Sequence, residues 1–310
     1  MILIVQTLSY SLIFALLALG VFISYRIFDF PDMTVDGSFG IGGAIALTFM
    51  HGGMDPVTAT LFGSLGGAVA GTLTATLQGA LRINRLLSGI IMMTALYSVN
   101  LYILRPNYAV VIVDETTLAT MARDAGNVLF TGGVRSWFAS MHMMPQDAVI
   151  CLSLMLLVGV IVWLLRLFFA THVGLSVRAT GENDRMVRAM GISVSATVML
   201  GLAISNMLAA LSGALWAQEL GMADTRGGIG MIVTGLTSVI VGQALFGRKR
   251  FRTQVVGVVI GTILVRLLVS LIMLSGMPSD ADKLIQAVLL VCALVLPRYL
   301  QKRAPLKEKP

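Results

Sequence analysis

The sequence predicts an all-α membrane protein, and three observations carry the prediction. Only 12% of its residues are charged against 57% hydrophobic, whereas soluble globular domains carry about 25% charged residues. The mean hydropathy is +0.89. The apolar residues also come in runs of about 20, the length an α-helix needs to cross a bilayer. Lipid offers no hydrogen bonds to the backbone, so runs of this length are helices. Most of the surface is therefore expected to contact membrane lipid.

The runs fall at roughly 2–24, 34–50, 56–79, 86–104, 148–168, 195–217, 226–246, 253–273 and 284–297. They predict about nine transmembrane helices, within a range of eight to ten, in one polytopic domain over 1–310. The first run lacks a basic leader and a small-residue cleavage site, so it is read as a span. The second and last runs are short. Short or glycine-broken hydrophobic segments are a mark of discontinuous helices.

A net charge of +7 is not a nucleic-acid signal here, because the basic residues sit between the apolar runs and orient the chain. Placing 171–192 in the cytoplasm puts Arg26, Arg82, Arg85, Arg248, Lys249, Arg250, Arg252 and the basic tail 298–310 there too. The N-terminus and the long connection 105–147 are then outside. Cys151 and Cys292 lie in separate spans and are expected to be small apolar core residues. His51, His142 and His172 are scattered at span ends with no metal-ligand spacing.

The stretch 26–43, RIFDFPDMTVDGSFGIGG, interrupts a helical hairpin with Asp29, Asp32, Asp36, Pro31 and a set of glycines. Pro31 blocks helix continuation, and Thr34 or Asp36 can cap a helix running to Met50. Two readings fit: a cytoplasmic turn with capping aspartates, or a broken helix whose polar start lies inside the bilayer, where irregular backbone must border protein or water. In the third run, Gly63, Gly67 and Gly71 recur every four residues and form a close-packing face between helices. No Walker lysine follows them. Asn100 in the fourth run, and Ser205, Asn206 and Ser212 in the sixth, are interhelical hydrogen-bonders or pathway groups. Within 105–147, residues 114–125 suggest a short outer helix, and Met141, Met143 and Met144 suggest interfacial packing. Arg266 must face protein or snorkel outward.

Residues 171–192, THVGLSVRATGENDRMVRAMGI, form a polar island between two long apolar runs. Asn183 or Asp184 can cap a short helix there and Gly191 can end it. Such a helix on the cytoplasmic face is a docking element. A weak internal echo joins DMTVDGSFGIGG (32–43) to DTRGGIGMIVTG (224–235). Each pairs an aspartate with a glycine-rich helix entry, and the two run in opposite directions, as in an inverted repeat with a central site.

Three of these blocks resemble one family. FISYRIFDFPDMTVDGSFGIGGAIA is similar to the signature of bacterial ABC permeases assigned to tryptophan/tyrosine transport. GLSVRATGENDRMVRAMGIS resembles the cytoplasmic loop shared by branched-chain amino acid and ribose permeases, and GMADTRGGIGMIVTGLTSVIVG a further block of the same family. The similarity covers most of the chain and is weakest over 105–147.

The resemblance implies a type II importer permease in a bacterial cytoplasmic (inner) membrane, moving a small solute such as an aromatic or branched-chain amino acid. It implies a second permease, as a homodimer, two copies of a cytoplasmic ABC ATPase that bind ATP and Mg, and an extracytoplasmic substrate-binding protein. The chain itself would hold no cofactor and catalyse no reaction. By this match Arg178, Ala179, Gly181, Glu182, Asn183, Arg185, Ala189, Met190 and Gly191 are the ATPase-coupling candidates. The pathway candidates are Asp32, Thr34, Asp36 and Ser38, with Asn100, Ser205 and Asn206. An ion-coupled secondary transporter using Asp32 or Asp36 stays open at this point, although it leaves the island without a role.

Overall fold

The computed structural model describes residues 2–105, 109–111, 117–118, 120–121, 145–247, 251–277 and 281–303. In chain order the elements are α1 (Ile2–Phe22), a π-helical turn (Ile23–Ile27), α2 (Thr34–His51), α3 (Pro56–Gly79), α4 (Arg85–Ile103) and β1 (Ala109–Val111). After these come α5 (Pro145–Ala170), α6 (His172–Glu182), α7 (Asp184–Ala189), α8 (Val194–Leu220), β2 (Met222–Asp224), α9 (Met231–Phe246), α10 (Phe251–Met273) and α11 (Asp282–Arg303).

Local chemistry sets the helix ends. Asp55 Oδ2 accepts from Val57 and Thr58 N–H, with Pro56 at the first helical position of α3, where its missing N–H costs nothing. Asn84 and Ser193 cap α4 and α8 in the same way. Gly221 ends α8 with φ +67°, a left-handed conformation that favours glycine.

Helix α8 is the hub and packs on α1, α2 and α3. The glycine stripe of α3 makes this approach possible. A Cβ at Gly63 would overlap the Gly42 carbonyl, one at Gly67 the Asn206 carbonyl, and one at Gly71 the Leu202 carbonyl. On α8, Gly213 sits against the Phe39 backbone and Gly201 against the Phe28 ring. Serines of α8 add cross-ties: Ser205 donates to the Gly20 carbonyl (2.7 Å) and Ser212 to the Ile13 carbonyl (2.8 Å). Gly67→Val is expected to cost about 1–3 kcal/mol through overpacking and to lower the unfolding temperature in detergent. Gly159→Val, at a position with nothing within 4 Å of a Cβ, should leave it unchanged.

A second group packs beside this hub: α1 with α5, α9 and α10, and α11 on α9 and α10. The outer sides of α3 and α5 expose Leu61, Phe62, Leu65, Val69, Leu152, Leu156 and Trp163, as lipid-facing helices do. Cys151 is buried as expected, but Cys292 is exposed on α11, so only one of the two is a core residue.

Among the described residues, six helices are long and apolar enough to cross a membrane: 4–27, 56–79, 85–103, 147–170, 194–220 and 253–273. The expected count of nine is not established. The run at 226–246 is a case in point: α9 has 16 residues, so it is about 24 Å long against a hydrocarbon core of about 30 Å. Residues 225–230 form turns instead of its first helical turns. Helix α2, with 18 residues, is also short, in keeping with a broken or short second helix.

One end of the bundle gathers the basic residues. Arg26 lies beside Arg178 and Glu182, and Arg82 and Arg85 lie beside Asp184 and Arg188. The charge rule expects that end on the cytoplasmic side. At the other end β1 pairs antiparallel with β2, Ala109 opposite Asp224, a strand pair the sequence did not announce. Most of 114–125, and Met141, Met143 and Met144, lie outside the described residues.

Candidate functional site

Two short helices begin inside the bundle and leave it in opposite directions. Helix α2 runs from the level of Asn206, near the middle of α8, toward the outer end, where Gly43 meets Ala217. Helix α9 runs inward, with Gly235 against Val21 and Gly242 against Gly257. Their N-termini meet at Asp36. Its carboxylate accepts from Gly230 N–H (2.8 Å, Oδ2) and Ile232 N–H (2.7 Å, Oδ1). Gly228 lies so close to the Asp36 carbonyl that a Cβ there would overlap it. Asp36 stands in the first turn of α2 and on the first turn of α9, so the positive ends of two helix dipoles favour its negative charge.

The expected capping of α2 by Thr34 or Asp36 is therefore corrected. Asp32 Oδ1 accepts from Thr34 N–H (3.0 Å), and Asp36 serves the other helix. Asp32 Oδ2 accepts from Asn206 Nδ2 (2.8 Å), and Asn206 Oδ1 accepts from Ser38 Oγ (2.7 Å). Thr34 Oγ1 bonds Thr74 Oγ1 (2.9 Å). One polar chain thus ties the broken start of α2 to α8 and α3.

All seven pathway candidates, Asp32, Thr34, Asp36, Ser38, Asn100, Ser205 and Asn206, are buried. Ser205 ties α8 to α1 and stands apart from the chain. Asn100 faces Gly40, and its Oδ1 has no hydrogen-bond partner among the described residues. Outward of the crossing lies a cavity lined by Phe39, Gly40, Gly213, Trp216, Asp224 and Gly227. The sequence had not marked Thr74 or the backbone N–H groups of Gly230 and Ile232. The signal for the latter was present in the DTRGGIG entry.

At the basic end of the bundle the island is two helices, not one. Asn183 ends α6 and caps α7, its Oδ1 accepting from Met186 N–H (3.0 Å). Gly191 follows with φ +78°. The nine coupling candidates divide by position. Arg178, Ala179 and Gly181 are half-buried, whereas Glu182, Asn183, Arg185, Ala189, Met190 and Gly191 are exposed. The first group fastens the island. The Arg178 guanidinium lies 4.9 Å from the Phe251 ring centroid, and a Cβ on Gly181 would strike the Ile27 carbonyl. Thr180 also bonds Thr197 (2.8 Å), and Val177 and Val187 are fully buried. The exposed tip carries charge beside two bare methionines, Met186 and Met190. The Asp184–Arg188 pair on it, at 3.8 Å and largely exposed, contributes little to stability.

Comparison with known proteins identifies the family. The family model described as branched-chain amino acid transport system / permease component matches residues 3–294. A tyrosine transport system permease protein of Clostridioides difficile (strain R20291) is 35% identical over 291 residues, covering 94% of this chain and 90% of that protein. A galactofuranose transporter permease protein of Escherichia coli (strain K12) is 25% identical over 170 residues, covering 54% of this chain and 48% of that protein. Among solved structures, the PsaBC complex of Streptococcus pneumoniae bound to a Fab aligns with TM-score 0.54 at 14% identity, over 96% of this chain and 94% of that one, a likeness of fold alone. The chain belongs to the branched-chain amino acid transport system permease family and is a multi-pass transmembrane permease subunit of an ABC transporter, not itself an enzyme.

Proposed function

We propose that this permease imports an amino acid, aromatic or branched-chain, across a bacterial cytoplasmic membrane. Two copies of the chain form the membrane core, each seated on one copy of a cytoplasmic ABC ATPase that binds ATP and Mg, and an extracytoplasmic binding protein delivers the substrate. The amino-acid class follows the name of the clostridial relative. The observation that carries the mechanism is the island, fixed at its base and bare at its tip. A docking element transmits force only if it is stiff, and the buried contacts of Val177, Gly181 and Val187 supply that stiffness.

The route inward is continuous. Gly181 presses on Ile27 in the π-turn, a helical irregularity common at functional sites. The π-turn leads through 28–33 to the start of α2, and Asp36 passes the motion to α9. Two short helices that share one carboxylate form a joint whose packing ATPase closure can bias. The pathway candidates are the polar groups that such a rearrangement opens to the substrate.

The test is a mild-detergent pull-down of the tagged chain from its native membrane, with mass spectrometry and an ATPase assay on the eluate. A co-purifying nucleotide-binding subunit with ATPase activity is expected. A homogeneous permease without ATPase would remove the importer mechanism.

A further inference from the structure

A second cavity, separate from the pathway candidates, opens among α1, α8, α10 and the start of α11. Its wall is aromatic on one side, with Tyr10, Phe14 and Trp216, and holds Arg266, Ser270 and Asp282 on the other. The Tyr10 and Trp216 rings meet edge to face at 5.2 Å, and Phe14 and Trp216 are tilted at 4.9 Å. Arg266 lies within the membrane-capable helix 253–273. An ionisable residue at such a depth is expensive and marks function more often than scaffolding.

The charged pair is not sealed. The side chains of Arg266 and Asp282 are 13% and 31% exposed and stand 3.7 Å apart, too far for a good hydrogen bond. Arg266 Cζ lies 3.6 Å from the Phe14 centroid, and its Nε is buried with no hydrogen-bond partner among the described residues. The guanidinium therefore stands on the Phe14 face beside the Asp282 carboxylate, without a close hydrogen bond to it.

We infer that this cavity binds a free aromatic amino acid as its zwitterion: Arg266, backed by the buried Phe14 ring, takes the α-carboxylate, Asp282 the ammonium group, and Tyr10 and Trp216 the ring. A guanidinium matches a carboxylate with two parallel N–H bonds, and aromatic rings prefer the edge-to-face packing this wall already uses. The inference rests on the amino-acid importer reading and gives it a substrate site. The site is also wired to the moving helices. Gln286 Nε2 donates to Asp282 Oδ1 (2.7 Å), and Thr234 of α9 donates to Gln286 Oε1. A ligand that draws Asp282 away loosens the tie from α11 to α9.

The experiment uses the native permease complex with Cys151→Ala, Cys292→Ala and Ser270→Cys. A small water-soluble methanethiosulfonate reagent modifies the introduced thiol, and L-phenylalanine is the probe. Ligand at roughly ten times its Kd is expected to slow modification about tenfold. Phenethylamine, which lacks the carboxylate, hydrocinnamate, which lacks the ammonium group, and D-ribose should not protect. Arg266→Gln should abolish protection while leaving the thiol reactive, and Arg266→Lys should keep part of it. Equal modification with and without L-phenylalanine would overturn the site. So would full protection in Arg266→Gln, protection by D-ribose, or a thiol that is unreactive without ligand. The readout needs no ATP, so its failure is distinct from failure of the pull-down.

Discussion

Asp36→Ala is expected to reduce substrate uptake by about tenfold or more while the folded permease still reaches the membrane. The carboxylate holds the entry of α9 by accepting from the Gly230 and Ile232 N–H groups. Alanine leaves two interior N–H groups without an acceptor and removes the negative charge at two helix N-termini. Each orphaned donor costs about 1–3 kcal/mol, and the dipole contribution is smaller. The cost falls on the joint between α2 and α9, whereas α8 keeps its glycine contacts with α3 and its serine ties to α1. Asp36→Asn retains one acceptor oxygen and should fall between wild type and alanine. Uptake by cells carrying each variant, normalised to folded protein by size-exclusion fluorescence, checks this order. Because the ATPase sits elsewhere, its basal activity in the purified complex should persist. Misfolding of Asp36→Ala would make the residue a plain structural cap.

Arg185→Glu combined with Met190→Glu is expected to abolish ATP-driven uptake without lowering thermal stability. Both side chains are exposed on the island, so exposed-surface substitutions there should change stability by no more than about 0.5 kcal/mol. Reversing one charge and adding another where a partner docks is far more costly, because like-charge contacts and buried unpaired charges oppose docking. The readouts are ATPase co-purification and uptake. Full retention of both would take the tip out of the mechanism.

Much of this architecture was legible in the sequence, for physical reasons. Composition fixed the solvent as lipid, and the glycines at 63, 67 and 71 announced a close helix contact that the bundle contains. Asn183 and Gly191 marked the limits of the outer island helix. The island's division into two helices was hidden because one asparagine ends the first and caps the second. The echo between 32–43 and 224–235 pointed to two oppositely directed helix entries, and these are the helices that meet. What the sequence could not reveal was the pairing. Asp36 lies at a helix start and looked like that helix's own cap, whereas its acceptor oxygens serve backbone donors 194 and 196 residues away. Nor does one-dimensional patterning show that Arg266 finds Asp282 at the next helix entry. The span count stays unestablished because hydrophobic runs do not reveal where a helix yields to turns, as at 225–230.

The most direct measurement is uptake into proteoliposomes holding the complex co-purified with this chain, with its binding protein supplied on the opposite side from the ATPase. Accumulation of L-tyrosine or L-leucine that requires Mg-ATP on the ATPase side, and that persists with ionophores present, is the expected result. Uptake driven by a proton or sodium gradient without ATP would contradict the importer mechanism and assign Asp32 and Asp36 to ion coupling.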